Sequence, residues 1–82
     1  MMDSDELKNV IQKSLPNAEV SVQGDGRHFE VVVISDEFLN LSLIQRQRMI
    51  NQAVQKHLLD GSLHAIQIRA FTKAEVEERD NG

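Results

Sequence analysis

Apolar residues recur three or four positions apart near the N-terminus, which is the spacing of an amphipathic helix. Asp3 or Ser4 can cap this helix, and Glu6 lies three residues after Asp3. Pro16 ends the pattern because proline cannot continue a helix. The predicted apolar face consists of Leu7, Val10, Ile11 and Leu15.

A period of two follows, with apolar Ala18, Val20 and Val22 separated by polar residues, and it predicts a strand with one wet face. Residues 24–26, Gly-Asp-Gly, are typical of a tight hairpin turn. The chain then runs from His28 to Ile34 through valines and a phenylalanine, which predicts a mostly buried central strand. The first two strands are therefore expected to pair antiparallel.

The longest predicted helix spans about residues 43–59, and Ser42 with Gln45 forms a capping box at its start. Its predicted sheet-facing side consists of Leu43, Ile44, Ile50, Val54 and Leu58. Residues 60–62, Asp-Gly-Ser, end this helix, and a third strand is predicted from His64 to Phe71. Thr72 and Glu75 form a second capping box, which opens a short acidic helix.

The element order α-β-β-α-β-α indicates an α/β (α+β) fold, with one small domain over residues 1–82. Because a helix joins the second and third strands, these strands are expected to run parallel, which makes a three-stranded mixed sheet covered by helices. The predicted core spans about residues 4–72, and residues 73–82 form the acidic C-terminal helix and tail.

Composition narrows the classes of function. The 82 residues contain no cysteine, so the chain has no disulfide, no thiolate metal site and no cysteine nucleophile. The net charge of −4 and the absence of Trp and Tyr argue against single-stranded nucleic acid as a ligand. So small a core leaves little room for an active-site cleft, and we therefore predict a non-enzymatic protein in the cytoplasm, without a membrane segment.

Histidines are the candidate ligands. His28 opens the predicted second strand and His64 the third. Parallel neighbours begin at the same edge of a sheet, so these two imidazoles are expected to share one rim. Imidazole binds iron and other borderline metals. Two histidines near strand ends also occur without any function, and His57, on the flank of the long helix, is expected to be a packed or half-exposed side chain.

Other polar features have simpler interpretations. The pair Gly24 and Gly26 is expected to serve the turn rather than to cradle phosphate, because no helix follows it. Arg46, Arg48 and Arg69 can contact an acidic partner or phosphates. The helical wheel scatters the cations of the long helix over its solvent face, where plain solvation is the alternative.

Two ordered motifs support a family resemblance. One is GDGRHF at residues 24–29, and the other is HAIQIRAFT at residues 64–72; Phe38 and the segment SLIQRQ at residues 42–47 lie between them. Over about residues 4–78 the chain resembles the BolA family, and within it the short bacterial IbaG (YrbA) type. The resemblance implies a fold similar to class II KH domains without the GxxG nucleic-acid loop, and the sequence has no GxxG.

BolA proteins are partners of monothiol glutaredoxins, with which they share a glutathione-ligated [2Fe-2S] cluster in iron–sulfur trafficking or in iron and stress sensing. The resemblance implies that His64 is the main ligand and His28 the second, while the glutaredoxin thiol and glutathione complete the set. Arg46, Arg48 and Arg69 are expected to aid docking by charge complementarity. A homodimer is a further assembly that these expectations leave open.

The C-terminus departs from the family pattern. Many relatives have Pro after the final Thr and a Trp a few residues later, whereas this chain has Lys73 and Val76. The leading hypothesis is a BolA-like adaptor that docks on a monothiol glutaredoxin, and two alternatives accompany it. One is a DNA-binding regulator of the BolA type that uses the long helix and the edge of the third strand, and the other is a domain that binds glutaredoxin without metal.

Overall fold

Three α-helices and three strands follow one another in the order α-β-β-α-β-α in a computed structural model that describes residues 2–81. Their bounds are α1 Ser4–Ser14, β1 Glu19–Gly24, β2 His28–Ile34, α2 Leu43–Leu59, β3 Ala65–Phe71 and α3 Lys73–Asn81. A short 3-10 helix, Asp36–Phe38, lies in the connector before α2. The predicted order is confirmed, and β3 begins one residue later than predicted.

The sheet has the strand order β1-β2-β3, with β2 in the centre. Val31 of β2 lies opposite Val22 in the antiparallel β1 ladder and opposite Ile68 in the parallel β3 ladder. The predicted mixed sheet is therefore confirmed. Because α2 connects the two parallel strands, it returns the chain to the end of the sheet at which β2 began.

Both long helices pack on one face of the sheet. Val31 and Val33 point to this face and are fully buried, whereas Glu30 on the opposite face is exposed. The buried core consists of Met2, Leu7, Ile11, Leu15, Ala18, Val20, Phe29, Val31, Val33, Phe38, Ile50, Val54, Leu63 and Ala70. The helices thus cover one face, and the other face stays open, with mostly polar residues along it.

Side-chain caps begin all three helices. Asp3 Oδ1 accepts a hydrogen bond from the Glu6 amide at 2.8 Å at the start of α1. Ser42 and Gln45 exchange both bonds of a capping box at α2. Thr72 and Glu75 do the same at α3. The predicted capping boxes are confirmed, and each satisfies amides that a helix start leaves without a partner.

The predicted buried face of α2 is wrong at its first turn. Ile50 and Val54 are fully buried, but Leu43 is 69% and Ile44 is 64% exposed. Ile44 lies about 120° around the helix from Ile50, outside the stripe that faces the sheet. Leu43 is on that stripe, but it is the first residue of the helix and extends beyond the core.

Arg46 was expected on the solvent face of α2 and is instead buried, with 6% of its surface exposed. Its guanidinium donates to the Leu41 carbonyl, to the Ala70 carbonyl at 3.1 Å and to both carboxylate oxygens of Glu75 at 2.6 and 3.2 Å. It also lies 5.8 Å from the centroid of the Phe38 ring. A buried guanidinium is tolerated because its donors have partners on three other segments.

No helix among residues 2–81 combines the length and the apolar composition needed to cross a membrane.

Replacement of Arg46 by Met is expected to lower the free energy of unfolding by about 2 kcal/mol, because it leaves the Ala70 and Leu41 carbonyls and Glu75 without their donor. Urea denaturation measures the change. Arg48→Met is the matched control: this exposed arginine on the same helix is expected to change stability by less than about 0.5 kcal/mol. Equal effects of the two variants would contradict the structural role of Arg46.

The hydrogen bonds from Arg46 and from the Thr72 amide lower the pKa of Glu75 from 4.5 to about 2. A depressed pKa in the folded state means that the carboxylate stabilises the protein above pH 4.5 and that this contribution is lost as the pH falls toward 2. The difference in unfolding free energy between the wild type and Glu75→Gln is therefore expected to be largest at neutral pH and to shrink between pH 4.5 and 2. Urea titrations across this range measure it; a constant difference would contradict the assignment.

Candidate functional site: a histidine rim at one end of the sheet

A tight turn sets the position of His28, the first residue of β2. Asp25 Oδ1 accepts hydrogen bonds from the amides of Arg27 and His28, both at 2.9 Å. These two bonds, the one from His28 first, hold the pKa of Asp25 below its ordinary value of 3.8. Gly26 has φ 95°, a conformation that favours glycine. The role of Asp25 was not anticipated from the sequence, although a short acid inside a glycine turn is the usual signal for it.

Gly24 allows β1 to approach the start of β2 closely. A Cβ added at Gly24 would overlap the His28 carbonyl oxygen and the Phe29 ring. Phe29 is almost completely buried, so the ring has little freedom to move away. Glycine is therefore required at position 24 by the close packing of β1 on β2, and at position 26 by the positive φ angle.

His64 is held just before β3 by its neighbours. Leu63 is buried in the core, and its amide donates to the His57 carbonyl at 3.0 Å. The Ala65 amide, one residue after His64, donates to the Arg27 carbonyl at 3.2 Å. The segment around His64 is therefore fixed on both sides, while the His64 side chain itself is exposed.

The parallel register places the two histidines at the same end of the sheet. His28 lies opposite Ala65, so His64 is one residue out of register with His28. From a strand spacing of about 4.8 Å and a rise of about 3.3 Å per residue, their Cα atoms lie about 6 Å apart. We call this pair, His28 and His64, the histidine rim.

The histidine rim presents two imidazoles to solvent. Both side chains are exposed, and neither has a hydrogen-bond partner among residues 2–81, so their ring nitrogens face solvent. Within the same residues no cluster of three or more His, Asp or Glu side chains is suited to hold a metal ion. Two imidazoles fit a metal centre that takes its remaining ligands from another molecule.

A shallow depression adjoins the rim. It has a volume of about 440 Å³, and its walls include His28, Glu30, Ala65 and Gln67. These residues alternate onto the open face of the sheet, so the depression is accessible from the side that carries no helix. An approaching partner can therefore reach His28 without displacing α1 or α2.

His57 is not part of the histidine rim. Its ring is partly buried, and Nδ1 lies 3.2 Å from the Ser62 hydroxyl. That hydroxyl lies 2.7 Å from Asp60 Oδ1. The acid thus contacts the serine and not the imidazole, which is not the order of groups in a Ser-His-Asp triad. The predicted packed or half-exposed helix histidine is confirmed.

The three candidate docking arginines do not form one patch. Arg46 is buried and ion-paired, so it is not available to a partner. Arg48 is exposed on α2, on the helix side of the sheet, whereas Arg69 is exposed on β3 and alternates onto the open face. The expectation of a solvent-facing Arg46 was wrong on the helical period itself, since Arg46 lies about 40° from Ile50 around α2. The wheel does not report the Glu75 carboxylate that Arg46 meets.

Comparison with known proteins agrees with this architecture. Residues 4–75 match the family of BolA-like proteins. The acid stress protein IbaG of Escherichia coli K12 is 32% identical over 74 residues, which cover 90% of this chain and 88% of IbaG.

Solved structures show the same likeness. A BolA homologue from Coxiella burnetii superposes with a TM-score of 0.83 and 31% identity, covering 94% of this chain and 99% of the homologue. The BolA domain of SufE1 from Arabidopsis thaliana has a TM-score of 0.76 and 30% identity, covering 88% and 93%. The family match over most of the chain and the shared sheet topology together lead to one assignment: this chain belongs to the BolA family.

Proposed function

We propose that this protein is a non-enzymatic adaptor that binds a monothiol glutaredoxin and shares with it a glutathione-ligated [2Fe-2S] cluster. His64 is the main ligand that this chain supplies, and His28 is the second. The observation that carries the proposal is the histidine rim: two exposed imidazoles, fixed by adjacent strands, at one end of the sheet.

The ligand inventory supports a shared site. A [2Fe-2S] cluster takes four protein or cofactor ligands, usually thiolates, and this chain contains no cysteine. The rim offers two nitrogens, so the thiolates come from the partner and from glutathione. When bound, such a cluster supplies electron-transfer chemistry, and histidine in place of thiolate raises its reduction potential.

The surroundings of the rim support docking of a partner. The depression beside His28 opens on the face of the sheet without helices, where Arg69 is exposed. Arg48 remains a candidate contact for a partner that reaches around to α2. Exposed cations of this kind steer encounter and affect the association rate more than the affinity.

The DNA-binding alternative has less support. Of the cations on α2, Arg46 is unavailable because it is ion-paired inside the protein. The remaining cations belong to a chain with a net charge of −4, and this negative charge opposes the approach of a polyanion such as DNA. The burial of Arg46 does not affect the adaptor proposal, because the exposure of His28 and His64 does not depend on Arg46.

Replacement of His64 by Ala is expected to abolish the change in visible absorption and circular dichroism that the wild type produces on mixing with a cluster-loaded monothiol glutaredoxin. The reason is the loss of one ligand nitrogen at a position that contributes nothing else, since the side chain is exposed and makes no hydrogen bond among residues 2–81. His28→Ala is expected to weaken the change.

His57→Gln serves as the matched control, because it removes the third imidazole outside the rim and is expected to keep the full spectral change. Far-ultraviolet circular dichroism of each variant confirms that it is folded. An unaltered spectral change with His64→Ala would overturn the ligand assignment. Retention of glutaredoxin by a His28/His64 double variant under iron-depleted conditions would favour a domain that binds the partner without metal.

A further inference from the structure

The outer edge of β3 carries backbone groups without a strand partner. In the sheet order β1-β2-β3, β3 pairs with β2 on one side, and no other strand of residues 2–81 lies beside it. The Ala65 amide and the Phe71 carbonyl point toward the β2 side, to Arg27 and Ser35. Both backbone groups of one residue point to one side of a strand, and those of the next residue point to the other side. The N–H and C=O groups of the even-numbered residues between Ala65 and Phe71 therefore point away from β2.

These outward backbone groups belong to Ile66, Ile68 and Ala70. The Ala70 carbonyl confirms the direction, because it accepts from the buried Arg46 guanidinium at 3.1 Å. This bond closes the edge at its C-terminal end. The N–H and C=O groups of Ile66 and Ile68 and the N–H of Ala70 remain, and no side chain among residues 2–81 hydrogen-bonds to them. An extended segment can pair with these groups as a fourth strand.

A groove of about 400 Å³ runs along this edge. On the helix side, Leu43 and Gln47 of α2 border it together with Ile68. Leu43 is 69% exposed, which is unusual for a leucine on the stripe that faces the core. On the open side, Phe71 and Arg79 form the wall, with the Arg79 guanidinium 5.0 Å from the centroid of the Phe71 ring.

The charge of the groove is opposite to that of the protein. Its walls contain Arg69 and Arg79 and no carboxylate, whereas the whole chain has a net charge of −4. The adjoining depression at the C-terminal end of the edge contains Glu75, which is ion-paired with Arg46, and Glu78. Both arginines are exposed. The groove therefore attracts acidic side chains, and it does so beside an apolar wall.

The two walls differ in kind, and a strand presents its side chains alternately to two faces. Leu43 and Ile68 give an apolar wall on the helix side, while Arg69 and Arg79 give a cationic wall on the open side. We propose that the outer edge of β3 binds an extended segment of a partner protein in which acidic and apolar side chains alternate, by addition of a fourth strand to the sheet.

A second copy of this chain is a poorer occupant. Antiparallel pairing of two β3 edges about Ile68 would set Arg69 of one copy opposite Gln67 of the other and diagonal to the second Arg69. The paired strand would therefore bring no carboxylate to the cationic wall. An acidic segment meets the same wall with complementary charge. The charge distribution thus selects a partner segment over self-association.

The groove is distinct from the histidine rim. It lies along the middle and the C-terminal half of β3, whereas His64 precedes the strand. Neither histidine is among the residues that line it. Binding in the groove therefore needs no iron, and its test is independent of the shared-cluster proposal.

The test uses the metal-free full chain and a capped heptapeptide of alternating valine and glutamate, with the corresponding valine–lysine peptide for comparison. Two-dimensional NMR spectra are expected to show shifts for the amides of Ile66, Ile68 and Ala70, and slower hydrogen exchange at these amides, with the glutamate peptide only. The double variant Arg69→Glu/Arg79→Glu is expected to weaken the binding of the glutamate peptide about tenfold and to favour the lysine peptide.

Arg48→Glu is the matched control, since this exposed arginine is not among the residues that line the groove, and it is expected to change affinity less than twofold. Equal binding of both peptides, or shifts that leave residues 66–70 unaffected, would overturn the proposal. So would protection of the three amides in concentrated, peptide-free protein together with a dimer in sedimentation, because a second copy would then occupy the edge.

Discussion

The parallel pairing of β2 with β3 determines the position of every candidate site in the molecule. Its register sets His28 opposite Ala65 and so brings His64 to the same end of the sheet. The same ladder pairs the N–H and C=O groups on the β2 side of β3, and the N–H and C=O groups of Ile66 and Ile68 point outward from the free edge. A shift by one residue would exchange the two faces of β3, so that Gln67 and Arg69 would face the helices, and the cationic wall of the groove would be lost.

Arg46 connects this ladder to the remainder of the fold. It lies on α2, bonds the last outward carbonyl of β3 and holds Glu75 at the start of α3. The C-terminal helix has little apolar surface of its own, so the ion pair and the contact between Arg79 and Phe71 keep it beside the sheet edge. One buried cation therefore limits how far the edge is open and places one wall of the groove.

The parts of the fold that follow from local patterns were predictable. Alternation identified β1, β-branched residues identified β2, and the three caps marked the helix starts, because each of these signals depends on residues a few positions apart. The histidine pair also followed, since a crossover helix implies parallel strands and parallel strands begin at the same edge. The prediction was wrong for Ile44 and Arg46 on the helical period itself, since Ile44 lies about 120° and Arg46 about 40° around the helix from Ile50. Leu43 lies on the buried stripe, and its exposure depends on how far the sheet extends under α2.

The sequence by itself determined the order of the elements, the mixed sheet, the absence of cysteine and the family pattern of its two motifs. Only the tertiary structure decided that Arg46 is an internal ion-pair partner, that one sheet face is open and that the cationic wall lies along a free strand edge. The physical reason is the separation along the chain over which each interaction acts. Caps, turns and periodicity act between neighbours in the chain, whereas Arg46 meets Glu75 across 29 residues, and no local pattern reports that contact.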